Sequence, residues 1–271
     1  MNNFLVKPDE KISLDKIDPN DCGQWEGKKD EGTLHLSELT TQLDQLQEIL
    51  YAEHKHKILI VLQGIDGSGK DGTIRAVFDG VNPEGVQVAN FKVPSPQELD
   101  HDFLWRIHAQ VPAKGELVIF NRSHYEDVLI VRVHNLISSD ECQKRYNQIN
   151  TFEQMLAEEG TTILKFYLYI SPDVQKARLL ERLNDPTKQW KFNPNDINER
   201  QLWDKYMQAY EDMLNHTSQE LAPWYLIPSN HNWYRTMIIA QIIVDELNKL
   251  NMQYPALQGD VEAYKKELQT W

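Results

Sequence analysis

The chain of 271 residues, 41% hydrophobic and 25% charged, is long enough to bury the core of one large α/β domain. Its formal charge of −13 argues against nucleic acid as a bulk partner, because phosphate backbones usually meet a net basic surface. No signal peptide pattern is visible, and no apolar run approaches the roughly 18 residues that span a bilayer. Cys22 and Cys142 are too few for a disulfide framework, so we predict a cytoplasmic protein without a membrane partner.

The first elements are an arm, a helix and a strand. Residues 1–33 lack a sustained hydrophobic period and are predicted to form an extended N-terminal arm. Leucines then recur every three or four residues from Leu34 to Leu50, which predicts an amphipathic helix over 34–53. The β-branched and leucine run 58–62 is typical of a buried parallel strand.

Residues 64–73 (GIDGSGKDGT) follow this strand and have the pattern of a phosphate-binding loop. Glycines let backbone N–H groups surround phosphate oxygens, and Lys70 adds a positive charge at the start of the next helix. The usual loop has Ser or Thr after the lysine to hold Mg²⁺, but Asp71 stands here, so the metal must be held differently. A glycine-rich turn is the alternative, which the flanking strand and helix disfavour. The predicted phosphate and nucleotide contacts are Gly64, Asp66, Gly67, Ser68, Gly69, Lys70, Asp71, Gly72 and Thr73.

The remaining chain alternates between strands and helices. Predicted strands cover 86–91, 116–120, 162–170 and 224–228, and predicted helices cover about 98–108, 151–159, 172–183, 197–215 and 232–250. Periodicity does not decide between helix and strand for 128–133, and two prolines and three asparagines predict a loop over 184–196. This alternation predicts an α/β fold with a parallel sheet between two layers of helices.

Two aspartates are candidate metal ligands. Asp66 lies inside the loop, and Asp127 follows the third predicted strand. Two carboxylates, completed by waters and phosphate oxygens, satisfy the octahedral preference of Mg²⁺, with Mn²⁺ as an alternative. A turn-forming role for Asp66 and a helix N-terminal charge at Asp127 are the competing interpretations.

Arginines near the loop are candidate phosphate contacts. Arg122 ends the third strand, at the edge where open α/β sheets bind ligands, and its planar guanidinium suits a phosphate group. Arg178 and Arg182 share one face of a predicted helix, and the following loop carries Lys188 and Lys191. This pattern predicts a cationic lid, although a solvated helix with intrahelical ion pairs fits it as well.

Several separated blocks resemble the polyphosphate kinase type 2 family, in that family's order. They are GIDGSGKDGT, VNPEGVQVANFKVPS, ELDHDFLWRIH, IFNRSHYEDVLIVRVH, a DP-x-K-x-WKF segment followed by WDKYMQAYEDML, and APWYLIP. The resemblance covers about residues 30–250 and implies a three-layer P-loop kinase fold with a helical lid. It also implies reversible, Mg²⁺-dependent transfer of the terminal phosphate of inorganic polyphosphate to a nucleotide. The RSHYED and HDFLWRIH forms resemble the subgroup that accepts both AMP and ADP.

The resemblance assigns roles by position. Asp66 and Asp127 would bind the metal, Lys70 would contact the transferred phosphate, and Arg122 would line the phosphate path. The implied polyphosphate and lid residues are Arg75, Arg132, Arg178, Arg182 and Lys191. The family commonly lacks Ser or Thr after the loop lysine, so Asp71 is no departure within it. A homodimer or homotetramer is implied as well.

We therefore predict an arm at 1–33, a kinase domain at 34–250 with a lid at about 178–200, and a tail at 251–271. The expected partners are inorganic polyphosphate and purine nucleotides. Two other functions compete with this one. The chain could be an ATP-dependent nucleoside monophosphate kinase, or a nucleotide-binding regulatory protein with an inactive loop. Product formation with polyphosphate or with ATP as donor distinguishes the three.

Overall fold

The computed structural model describes residues 4–8 and 10–271 and is built around one six-stranded sheet. Its strands are β1 (Leu5–Val6), β2 (Lys57–Gln63), β3 (Val86–Asn90), β4 (Leu117–Asn121), β5 (Thr161–Tyr169) and β6 (Trp224–Pro228). The spatial order is β1-β6-β5-β2-β4-β3, in which only β1 pairs antiparallel within the described chain. The strand order reverses beside β2, so the loop after β2 lies at the crevice where open α/β sheets bind ligands.

Helices cover both faces of this sheet. They are α1 (Lys29–Glu53), α2 (Lys70–Val77), α3 (Pro96–Leu99), α4 (Trp105–His108), α5 (Ile130–Val133), α6 (Ser139–Glu158), α7 (Pro172–Asn184), α8 (Asp196–Gln201), α9 (Trp203–Thr217), α10 (Asn232–Lys249) and α11 (Val261–Leu268). On β2, Ile58, Ile60 and Leu62 pack in the core with α1 and α10, whereas Leu59 and Val61 pack in the core with α6 and α9. A strand buried on both faces needs apolar residues throughout, which explains its unbroken apolar run. The predicted three-layer α/β class is confirmed.

Two predicted helices are divided in the structure. The predicted helix 98–108 is two short helices, α3 and α4. Between them the Asp102 carboxylate accepts a hydrogen bond from Leu104 N at 3.0 Å, which competes with the helical pattern. The predicted helix 197–215 is divided at Leu202 into α8 and α9.

Helix α6 and the segment before it are also more helical than the sequence suggested. The predicted helix 151–159 is only the last part of α6, which begins where the Ser138 hydroxyl accepts a hydrogen bond from Glu141 N at 3.1 Å. The undecided segment 128–133 is helical, because the 3-10 helix His124–Val128 leads into α5.

The predicted N-terminal arm packs against the domain rather than standing apart. Strand β1 pairs with β6, and Phe4, Val6 and Leu14 are buried. Helix α1 begins at Lys29, inside the predicted arm, and α11 occupies the predicted tail with no buried side chain. The division of the chain at residues 33 and 250 stays a prediction. No helix within residues 4–8 and 10–271 is both long and apolar enough to cross a membrane.

Candidate active site

The loop after β2 opens into a cavity of about 540 Å³ at the carboxyl ends of β2, β3 and β4. Eight basic and three acidic side chains line it, although the whole chain has a formal charge of −13. The basic side chains are Lys70, Lys92, Arg122, Arg178, Arg182, Lys188, Lys191 and Arg235, and the acidic ones are Asp66, Asp71 and Glu181. A concave surface with this excess of positive charge favours ligands that carry several negative charges.

The loop backbone requires glycine and surrounds a buried lysine. Gly69 has a left-handed φ of 100°, and a Cβ atom there would overlap the guanidinium of Arg235. Lys70 is buried and donates from Nζ to Gly64 O at 2.5 Å. Burial and repulsion from Arg122 lower the pKa of Lys70 to about 8. The Lys70 side chain is therefore mostly protonated at neutral pH, but it loses its proton at a lower pH than an exposed lysine does.

Two arginines hold the loop from outside. Arg178 Nη1 donates to Gly67 O at 2.8 Å and to Ser68 O at 3.1 Å, and Arg235 Nη1 donates to Ser68 O at 3.0 Å. Arg235 Nε also donates to Thr73 Oγ1 at 2.9 Å. The two arginines therefore bind the carbonyl groups of Gly67 and Ser68 in the loop. Within the described residues neither guanidinium has a carboxylate within 4 Å, and burial lowers the pKa of Arg235 to about 9.

A second charged group lies beside the loop lysine. Arg122 Nη2 donates to Asp66 Oδ1 at 2.7 Å, and Arg122 Nη1 lies 3.9 Å from Glu126 Oε2. Burial raises the pKa of Glu126 despite the attraction of Arg122 and Lys70. Burial also opposes ionisation of Asp66, but Lys70, Arg122 and Arg182 together lower its pKa. Two carboxylates thus flank one guanidinium, of which Asp66 lines the cavity, whereas Glu126 lies outside the lining.

Asp71 stands where other phosphate loops have a hydroxyl. Its Oδ1 accepts a hydrogen bond from Asn121 Nδ2 at 2.8 Å, and Asn121 Nδ2 also donates to Asn90 Oδ1 at 2.9 Å. These three side chains line the cavity across α2, β4 and β3. The hydroxyl of Thr73 is engaged within α2, because it donates to Gly69 O at 3.0 Å.

Asp127, a predicted metal ligand, does not line this cavity. Its Oδ1 lies 3.5 Å from Arg145 Nη1 and its Oδ2 lies 3.9 Å from Arg106 Nη2, and burial raises its pKa. The reason is the 3-10 helix His124–Val128, in which consecutive side chains point about 120° apart. The structure therefore brings the neighbouring Glu126, and not Asp127, towards Lys70.

Two predicted polyphosphate residues also lie outside the cavity lining. Arg132 on α5 forms an ion pair with Asp212 on α9 and donates to Tyr146 Oη at 3.2 Å. Arg75 is exposed on α2. The sequence placed both by resemblance alone, and the structure places neither side chain in the cavity lining.

The predicted lid faces the cavity. Arg178 and Arg182 project from α7, and Lys188 and Lys191 come from the loop that follows. Arg182 Nη1 lies 3.8 Å from Asp196 Oδ2, and Lys188 pairs with Glu181 and Asp185. These ion pairs join α7 to the segments that follow it and are not the intrahelical pairs that competed as an interpretation. The cationic lid stays a prediction.

Sequence reasoning missed Glu126, Arg235 and Asn121. The sequence favoured Asp127 over its neighbour Glu126, because hydrophobic periodicity does not show in which direction the side chains of a 3-10 helix point. Arg235 is distant in sequence from the loop, but it is buried in α10 shortly before the apolar run 237–240. A buried guanidinium needs hydrogen-bond acceptors, so this position carried a signal that could have been used.

Comparison with known proteins identifies the family. The family model described as polyphosphate kinase 2 matches residues 26–255. The chain belongs to the polyphosphate kinase 2 family. It is 57% identical over 255 residues to the AMP/ADP-polyphosphate phosphotransferase of Meiothermus ruber, with 94% of this chain and 96% of that protein covered.

Two further similar proteins agree with this assignment. The ADP-polyphosphate phosphotransferase of Rhodopseudomonas palustris is 43% identical, with 92% of this chain and 91% of that protein covered. The crystal structure of polyphosphate kinase 2 from Arthrobacter aurescens TC1 matches with a TM-score of 0.95 at 41% identity, covering 98% of this chain and 95% of that one. The P-loop kinase fold that the resemblance implied is confirmed.

Proposed function

We propose that this protein transfers the terminal phosphate of inorganic polyphosphate to AMP and ADP, reversibly and with a divalent metal. The observation that carries this proposal is the strongly cationic cavity around the phosphate loop of an otherwise acidic chain. The 57% identity to an AMP/ADP-polyphosphate phosphotransferase, over almost the whole of both chains, supports the choice of substrates.

The arginines and lysines of the cavity suit a linear chain of phosphates better than a single phosphate group. Arg235 is buried and Arg178 is half-buried, and neither guanidinium has a carboxylate within 4 Å in the described chain. An unpaired buried charge is costly, and bound phosphate oxygens relieve that cost. Arg182, Lys188 and Lys191 extend the same surface along the lid.

The carboxylates fit Mg²⁺, with Mn²⁺ as an alternative. Asp66 and Glu126 both lie within 4 Å of the Arg122 guanidinium, beside Lys70. No group of three or more His, Cys, Asp or Glu among the described residues forms a complete protein site. Two carboxylates that leave the other positions to water and phosphate oxygens are typical of Mg²⁺ in kinases. When bound, the ion would neutralise charge on the transferred phosphate, and the placement of Asp127 favours Glu126 as the second ligand.

The chain's own groups then position and stabilise the phosphate that moves. The ammonium of Lys70 lies inside the loop, where it contacts oxygens of the transferred group. Arg122 offers directed N–H donors at the end of β4, beside both carboxylates. The lid, which carries Arg182 and Lys191, lies over the cavity and limits the access of water, which would otherwise hydrolyse the donor.

Donor specificity tests this proposal. The purified protein is incubated with Mg²⁺ and AMP or ADP, together with either long-chain polyphosphate or ATP as the donor. We expect ADP and ATP to form from polyphosphate. Product with ATP as donor for AMP but none with polyphosphate would support the nucleoside monophosphate kinase instead, and binding without turnover would support the regulatory protein.

Location and assembly are separate proposals. The free Cys22 and Cys142 support a reducing compartment, and we propose the cytoplasm. The family resemblance supports a homodimer or homotetramer, which light scattering of the purified protein measures directly.

A further inference from the structure

A fully buried ion pair lies beneath the site and has no place in the chemistry above. Glu153 on α6 and Lys165 on β5 are both 0% exposed, and Lys165 Nζ lies 2.5 Å from Glu153 Oε2. Neither side chain lines the phosphate cavity. Burying two charges is expensive, and apolar residues of the same size often serve stability as well or better. The pair therefore calls for an explanation other than stability.

The ion pair holds two side chains of the RSHYED segment. Lys165 Nζ also donates to Tyr125 Oη at 2.8 Å and to Thr217 O at 2.8 Å, which uses its three protons. Tyr125 Oη donates to Glu153 Oε1 at 2.7 Å, and His124 Nε2 lies 3.1 Å from the same oxygen. His124 and Tyr125 are thus fixed to α6 and β5 by a closed hydrogen-bond network.

These two residues lie between the two charged groups of the active site. Arg122 precedes them with a left-handed φ of 64°, a conformation that a residue other than glycine keeps only when its surroundings enforce it. Glu126 follows them in the same 3-10 helix. The direction in which Arg122 and Glu126 point is therefore set by how His124 and Tyr125 are held.

A second connection supports the same geometry. In the orientation that satisfies both of its ends, the Gln63 amide accepts hydrogen bonds from Ser123 N and Oγ and donates to Glu126 Oε1, each at 3.1 Å. The Ser123 hydroxyl also lies 3.2 Å from Tyr125 N, from which it accepts a hydrogen bond. The segment is thus fixed from the sheet on one side and from α6 on the other.

We propose that Glu153 and Lys165 are positioning residues for phosphoryl transfer. They hold the 3-10 helix through Tyr125 and His124, so that Arg122 and Glu126 converge beside Lys70. The inference rests on the proposed function, because it assigns that convergence to the transfer step. It assigns to Glu153 and Lys165 no contact with either substrate.

The test separates positioning from simple stability. The double variant Glu153→Met/Lys165→Met keeps side-chain length and leaves no unpaired charge, and Tyr125→Phe removes only the hydroxyl that joins the network. The control Glu53→Gln changes another mostly buried glutamate, which pairs with His56 at the opposite end of the sheet. For each variant we measure kcat and KM for polyphosphate, the unfolding midpoint, and hydrogen exchange of peptides that cover 120–130.

For the double variant we expect kcat to fall about 100-fold and KM to change less than threefold, since a small misplacement of reacting groups has effects of this size. Tyr125→Phe should lose about tenfold in kcat, and amides of 120–130 should exchange faster in both variants. Glu53→Gln should change neither kcat nor the hydrogen exchange of 120–130. If Tyr125→Phe, which keeps both charges, has a wild-type unfolding midpoint and retains wild-type kcat and exchange, the positioning role is refuted. Wild-type protein without transfer activity refutes the proposed function instead, while the exchange measurement still tests the network.

Discussion

The pair Glu126→Gln and Asp127→Asn tests the site geometry most sharply, because each variant removes one negative charge from adjacent residues. Of the two, Glu126 lies near Arg122, with Oε2 at 3.9 Å from Arg122 Nη1. Two unit charges at that distance interact by about 4 kcal/mol at an effective dielectric constant of about 20. Solvation compensates for part of this lost interaction. We therefore expect Glu126→Gln to lose about 2.7 kcal/mol of transition-state stabilisation, or about 100-fold in kcat.

Asp127→Asn should behave differently. The nearest charges to Asp127 are Arg106 and Arg145, and none of these three residues lines the phosphate cavity. Burial raises the pKa of Asp127, which lowers the cost of a neutral side chain at this position. We expect kcat within about fivefold of wild type for this variant, since no charge aimed at the transferred phosphate is removed.

The assay is ATP formation from ADP and polyphosphate at saturating Mg²⁺, with kcat and the unfolding midpoint measured for wild type and both variants. Similar midpoints would show that differences in rate are not differences in folding. A 100-fold loss in Asp127→Asn together with near wild-type activity in Glu126→Gln would refute our assignment and return Asp127 to the metal site.

Three further predictions concern the lysine, the lid and the cavity charge. Because the pKa of Lys70 is about 8, kcat/KM should fall as the pH rises through about 8, where the ammonium loses its proton. Lys70→Arg should shift this fall to higher pH. An unshifted pH profile would show that another group is responsible for the fall. Arg182→Ala should raise KM for polyphosphate about tenfold, because Arg182 lines the cavity. Arg132 lies outside the cavity, so Arg132→Ala should change this KM less than twofold. The reverse order of effects would contradict polyphosphate binding in the cavity. The KM for polyphosphate should rise with ionic strength because exposed charge contacts are screened, and a flat response would argue against a cationic surface.

The sequence predicted the parts of the fold that local patterns encode. The apolar run at 58–62, the glycine loop after it and the later alternation of strands and helices were sufficient for a three-layer α/β fold, because buried parallel strands and phosphate loops have strong local signatures. The sequence did not predict that the N-terminal arm packs against the sheet. Its packing depends on β1 joining β6, a contact between residues more than 200 positions apart.

The roles of the site residues stay predictions, and the structure shows only which of these residues lie together. Asp66, Lys70 and Arg122 follow strand ends directly, so topology alone brings them together at one edge of the sheet. The choice between Glu126 and Asp127 depends on the local 3-10 geometry, and the contact of Arg235 with the loop depends on how α10 packs. Neither has a local sequence signature, because each is decided by tertiary structure.

The donor remains the central question, and ³¹P NMR of one reaction mixture answers it. The mixture contains the purified protein, Mg²⁺, AMP and long-chain polyphosphate, with no nucleoside triphosphate. We predict that nucleotide β- and γ-phosphate signals together grow as internal polyphosphate signals decline by an equal amount of phosphorus, and that the Lys70→Ala variant slows both by at least 100-fold. Unchanged polyphosphate signals with wild-type protein, in a preparation that converts ATP and AMP to ADP, would contradict a polyphosphate donor.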